Sequence, residues 1–186
     1  MSDTSCIEKV KEMSAEEKEE LVRKIEQTAQ ELEINFYGCS RCTLSALQQH
    51  LGLGNGETFK ASLPFAGGIA RRQDVCGALL GALMAIGLAF GSDKLEFIFS
   101  PEPTDVSRRF QLVTERARRV CDEFEEKFGS LRCYDIKKLL TGRTWDLSNP
   151  EDLEEALKPE THDKCGEATK TAAGLAARAI LEPVDL

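Results

Sequence analysis

Residues 75–90 read VCGALLGALMAIGLAF, a run without a charged side chain. A helix that spans a membrane needs about 18 or more apolar residues. This run is shorter and lies between Asp74 and Asp93. A helix that is apolar on every face is instead typical of a buried core element. We therefore predict an all-α fold, an irregular bundle of about six or seven helices around a central apolar helix over 75–90.

The sequence on both sides of this run follows the helical period far more than the alternation of a strand. Ser14 and Glu17 form a capping-box pattern, which indicates a helix that continues to about Phe36. Residues 94–100 are the one segment that could form a short strand instead of a helix. We expect residues 1–36 to form an N-terminal helical extension, packed as one globular unit with a main helical domain over 37–182. Further helices are predicted over 41–51, 104–128, 133–140 and 161–181, with a short one from Asn149.

Composition and charge exclude several classes of partner. The chain has 186 residues and a net charge of −8, whereas nucleic acids and anionic lipids attract basic surfaces. The first residues lack the basic start and apolar stretch of a secretory signal. We therefore expect a cytoplasmic protein without a nucleic-acid partner and without insertion into a membrane.

Seven cysteines are the most informative feature of the composition. Their number is odd and they are too sparse for a secreted disulfide scaffold, so they suggest a metal site or redox chemistry. A cysteine in a first helical turn faces free N–H groups and the positive end of the helix dipole, which lowers the thiol pKa and favours the thiolate. Four cysteines are predicted in or next to such a turn: Cys42, Cys76, Cys133 and Cys165.

The close pair Cys39-Ser40-Arg41-Cys42 allows several interpretations. A thioredoxin-like motif would follow a strand, but here a helix is predicted before the pair. Thr43 follows in place of the histidine of a covalent haem site, so covalent haem is not supported. Cys39 could be a spare ligand or could form a dithiol with Cys42.

Three further side chains have simpler explanations. His162 lies one turn before Cys165 and could reach the same site, although a surface histidine needs no ligand role. Cys121 lies beside the apolar stripe of its helix, so burial explains it. Cys6 is close to the N-terminus and is interpreted as incidental.

The motif over 76–81, Cys-Gly-Ala-Leu-Leu-Gly, resembles the C_GCAxxG_C_C family of redox-active proteins when it is taken together with Cys42 upstream and Cys133 and Cys165 downstream. The resemblance covers about residues 36–177. That family is similar to the non-haem part of split-Soret cytochromes c, where the equivalent cysteine-rich region is associated with an iron–sulfur-type centre.

This resemblance implies a small redox-active protein in which Cys42, Cys76, Cys133 and Cys165 converge on one site. We expect these thiolates to bind a 2Fe-2S or 4Fe-4S centre for electron transfer with a redox partner protein. Two alternatives stay open: a thiol–disulfide redox protein without metal, and a helical adaptor in which the cysteines hold structural zinc. No catalytic residue is assigned. Whether the protein is an oxidoreductase, and whether it forms a homodimer, also stays open.

Overall fold

A computed structural model describes residues 12–99 and 101–184, and Cys6 lies outside these ranges. The described residues are α-helical, with one isolated antiparallel bridge between Val75 and Arg132 and no strand. The all-α prediction is confirmed. The helices are α1 (Ala15–Phe36), α2 (Cys39–Leu51), α3 (Gly56–Ser62), α4 (Gly77–Phe90), α5 (Asp105–Phe128), α6 (Cys133–Thr141), α7 (Pro150–Ala156), α8 (Pro159–His162) and α9 (Cys165–Leu181).

The helices are more numerous than the six or seven predicted. One reason is that the predicted last helix, 161–181, is two helices in the structure. Pro159 at the first position opens the single turn of α8, and the chain then turns before α9 begins at Cys165. The N-terminus of α9 therefore coincides with a cysteine.

Helix α4 is the buried centre of the bundle, as predicted, and it packs against α2, α9 and α5. It begins at Gly77, two residues later than predicted, because Val75 pairs with Arg132 and Cys76 is the N-cap. A Cβ at Gly81 would collide with the carbonyl oxygen of Ser40. This glycine therefore lets the backbones of α2 and α4 approach closely.

Helix α1 lies against α9 and α2 through its apolar stripe. The capping box of Ser14 and Glu17 is confirmed, since each side chain bonds the backbone N–H of the other residue. The proposed division into residues 1–36 and 37–182 stays a prediction.

The segment between α4 and α5 does not form the short strand that the sequence analysis considered. Its described residues 94–99 form an exposed loop, in which Leu95, Phe97 and Phe99 are largely accessible to solvent. A strand here would need a neighbouring strand, and the described chain supplies none beside it. None of the described helices is both long and apolar enough to cross a membrane.

Candidate functional site

A cavity of about 300 Å³ lies at the N-terminal end of α4. Four cysteines line it, and each stands at the start of a helix. Cys76 is the N-cap of α4, and the other three are first residues: Cys39 of α2, Cys133 of α6 and Cys165 of α9. The structure therefore brings four helix N-termini and four thiols to one place.

A short backbone pairing holds Cys76 beside Cys133. The N–H of Cys76 donates to the carbonyl of Leu131 at 2.8 Å, and the N–H of Cys133 donates to the carbonyl of Asp74 at 2.7 Å. These bonds flank the bridge between Val75 and Arg132. The start of α6 is thereby fixed against the start of α4.

A left-handed loop covers this junction. Every residue from Gly67 to Arg71 has a positive φ, between 52° and 71°, although three of them are not glycine. Such a conformation costs roughly 1–2 kcal/mol for a residue with a Cβ. The carbonyls of Gly67 and Gly68 accept from the N–H groups of Gln73 and Asp74, which ties the loop to the backbone pairing. A Cβ at Gly68 would lie 2.7 Å from the Cβ of Cys133, so the loop is pressed against a cysteine of the cavity.

Cys42 does not line this cavity, in contrast to the site expected from the sequence. Helix α2 begins at Cys39, earlier than predicted, because Gly38 adopts the left-handed conformation after the end of α1. Cys39 therefore takes the first-turn position that was assigned to Cys42. The Cys42 thiol donates to the carbonyl of Tyr37 at 3.5 Å and lines a separate surface depression that includes Phe59.

The thiol pKa values are shifted in the direction opposite to the prediction from helix starts. Burial raises the pKa of Cys76, Cys133 and Cys165 to about 12, and it also raises the pKa of Cys39 and Cys42. At Cys76 the N–H groups of the following turn lower the pKa. They do not reach the geometry of a capping hydrogen bond, so burial outweighs them. The prediction of lowered thiol pKa values is therefore wrong for the metal-free protein.

A buried acid and a buried imidazole complete the wall of the cavity. Glu33 is 2% exposed and His162 is 6% exposed, and Nε2 of His162 lies 3.1 Å from Oε1 of Glu33. The ring of Tyr37 lies on the imidazole, with centroids 3.6 Å apart. Oε2 of Glu33 and Nδ1 of His162 have no hydrogen-bond partner among the described residues.

Glu33 was not identified from the sequence, whereas His162 was named as an extra candidate ligand. The signal for Glu33 was nevertheless visible, because it lies four residues after the buried Ala29 on the apolar face of α1. Burial of a carboxylate on the apolar face of a helix costs free energy unless the carboxylate has a polar partner.

The described side chains do not form a ready site for a single metal ion. No group of three His, Cys, Asp or Glu residues within 12–99 and 101–184 could hold one. The six cysteines in these ranges are free thiols. The four cysteines line a cavity, and no three of them are close enough together to hold one ion.

Comparison with known proteins agrees with the thiol-rich site. A family model with the description "Putative redox-active protein (C_GCAxxG_C_C)" matches residues 37–179. No curated protein and no solved structure matches the chain. The family match includes all four cavity cysteines, whereas Glu33 lies before it. The chain belongs to the C_GCAxxG_C_C family of redox-active proteins.

Proposed function

We propose that this protein transfers electrons through an iron–sulfur-type centre held by Cys39, Cys76, Cys133 and Cys165. The observation that carries the proposal is the convergence of these four thiols on one cavity of about 300 Å³. Four cysteine thiolates are the usual ligand set of 2Fe-2S and 4Fe-4S clusters. Such a centre supplies one-electron chemistry when it is bound.

The protonation of the thiols argues against disulfide exchange without metal. The nucleophile in that reaction is the thiolate. Burial raises the pKa of Cys76, Cys133 and Cys165 well above neutral pH, so these thiols are protonated in the metal-free protein at pH 7. A metal removes this obstacle, because a coordinating thiol loses its proton on binding.

The spacing of the thiols argues against a single structural zinc ion. Zinc holds each thiolate sulfur about 2.3 Å from one point. The described side chains offer no group of three that could hold one ion. A cluster separates its cysteine ligands by the width of its inorganic core, and the cavity provides space between the four thiols. The donor set therefore fits a cluster better than an ion.

The surrounding helices supply favourable electrostatics for an anionic group. Each helix N-terminus carries a partial positive charge of roughly half a unit. Four of them meet at the cavity, one for each cysteine. Their combined field stabilises thiolates and negative charge in the cavity. These groups would favour a centre with several negatively charged ligands.

We place this activity in the cytoplasm, with a redox partner protein as electron donor or acceptor. Reduced thiols persist in a reducing compartment, and six cysteines are free in the described residues. The negative net charge of −8 is compatible with a soluble carrier.

Analysis of bound iron and acid-labile sulfide tests the proposal. Protein purified or reconstituted without oxygen is expected to contain two or four of each per chain, in keeping with a 2Fe-2S or 4Fe-4S centre. Its visible absorbance should bleach on reduction. Cys76→Ser should lose the centre, because serine is a hard ligand.

Cys121→Ser is the matched control, since Cys121 lies on α5 and does not line the cavity. It should retain the centre and lose about 1–2 kcal/mol of stability through burial of a hydroxyl. A colourless wild-type protein without iron and sulfide after anaerobic reconstitution would refute the proposal.

A further inference from the structure

Lys137 is a largely buried lysine without an acidic partner among the described residues. It lies one turn after Cys133 on α6, lines the cysteine cavity and is only 6% exposed as a residue. Its ammonium group forms no ion pair and no hydrogen bond with a described side chain, and it is not completely enclosed by protein atoms. Lysine is rarely buried to this extent unless an anion accompanies it.

The nearest groups do not neutralise this charge. The Lys137 Nζ atom lies 5.2 Å from the centre of the Trp145 ring, and the guanidinium carbon of Arg143 lies 4.7 Å from the same ring. A second cation thus lies near the same ring. Arg41 and Arg71 also line the cavity, and its one carboxylate, Glu33, lies against His162. The cavity therefore has an excess of positive charge.

Cys133 and Cys165 line the same cavity as Lys137. Burial raises the pKa of both thiols, and Lys137 acts in the opposite direction by favouring their thiolates. The spacing between Cys133 and Lys137 places both on one face of α6. An anion at these two sulfurs would give the Lys137 ammonium group a partner in the cavity.

We propose that Lys137 is a positioning residue that acts as the counter-charge of the Cys133 and Cys165 thiolates and raises the reduction potential of the centre they hold. This inference rests on the proposed function. Reduction brings one electron from a one-electron carrier into the cavity, with no bond made or broken and no proton required. The added negative charge is stabilised by the fixed cation, so the reduced state gains more than the oxidised state.

Lys137→Met tests this role because it removes the charge and keeps an apolar stem of similar length. The midpoint potential of the iron-loaded protein is measured by spectroelectrochemistry. We expect a more negative potential than in the wild type. The matched control is Lys138→Met, because Lys138 is the next residue on α6 and is exposed. It should shift the potential several times less.

Lys137→Arg should restore most of the wild-type potential, since it restores the charge. Lys137→Gln provides a second neutral variant if the methionine variant does not fold. An unchanged potential in an iron-loaded neutral variant, or equal shifts at positions 137 and 138, would overturn the inference. If neither neutral variant folds and loads iron, a Lys137→Arg protein whose potential is clearly more negative than that of the wild type would overturn the inference. Iron and sulfide in the wild type report separately on the proposed function.

Discussion

The two ends of helix α4 are built differently. At its C-terminal end Phe90 is fully buried, and the guanidinium of Arg116 lies 4.4 Å from the centre of its ring. At its N-terminal end the cavity of about 300 Å³ stays open between four helix starts. Side-chain packing closes one end, whereas backbone contacts at Gly77 and the left-handed loop hold the other end open. A redox site can therefore occupy a bundle whose stability comes from elsewhere in the core.

Alkaline pH should lower the stability of the metal-free protein through the thiols at the open end of α4, and this is the largest effect that we expect. The folded-state pKa of Cys76, Cys133 and Cys165 is about 12, above the ordinary value of 9.0. The folded state therefore holds protons that the unfolded state releases between pH 9 and 12. Stability from these groups is complete below pH 9 and is lost as the pH rises. Each buried thiol therefore makes the fall in stability with pH steeper, by at most about a tenfold change in the unfolding constant per pH unit.

Chemical denaturation at several pH values measures this loss. Cys76→Ala should show a shallower decline than the wild type, because one of the buried thiols is absent. Identical slopes for the two proteins would contradict the account of buried neutral thiols.

Phe90→Ala should have a large effect at the closed end. Phe90 is fully buried and the guanidinium of Arg116 lies 4.4 Å from the centre of its ring. Loss of such a side chain from a core costs about 3–5 kcal/mol. Denaturant unfolding measures the free energy, and iron analysis of the folded fraction measures the site. The folded variant should keep the wild-type iron content, and its loss from a folded variant would show that the ends are not separable.

Gly77→Ala should have a smaller effect on stability but should act on the open end. An added Cβ would lie 2.5 Å from Sγ of Cys39 and 2.6 Å from the carbonyl oxygen of Phe65. We expect a loss of about 1–3 kcal/mol and an altered centre, because the backbone must shift.

Gly87→Ala, on the same helix, is the matched control for this change. Nothing lies within 4 Å of an added Cβ at Gly87. Its helix propensity should therefore raise the unfolding free energy by up to about 1 kcal/mol. A Gly77→Ala protein that is as stable as Gly87→Ala, with an unaltered centre, would place Gly77 on an open surface.

The sequence predicts the buried helix itself better than the cavity at its open end. The charge-free run at 75–90 predicts a buried central helix, since apolar composition and helical period are local signals. The first-turn rule also places Cys76, Cys133 and Cys165 at helix starts, which the structure confirms. On α2 the rule named Cys42, the fourth residue of the helix, and left out Cys39, because the left-handed Gly38 moved the start of α2 to Cys39.

The geometry of the cavity depends on contacts between distant segments. The pairing of 73–76 with 131–134 brings Cys76 and Cys133 together, but neither segment has the alternation of a strand. The left-handed conformation of Ile69, Ala70 and Arg71 opposes their local preference, so only tertiary contacts can impose it. The thiol pKa values follow from this burial, which a position at a helix start does not reveal.

A comparison of Cys39→Ser and Cys42→Ser tests the central claim most directly. The two cysteines lie three residues apart on α2, but Cys39 lines the cavity and Cys42 lines a separate depression. Bound iron and sulfide are measured in both variants after identical anaerobic reconstitution. The account predicts that Cys39→Ser loses most of the centre and that Cys42→Ser retains it. Retention in Cys39→Ser with loss in Cys42→Ser would contradict the assignment of the site.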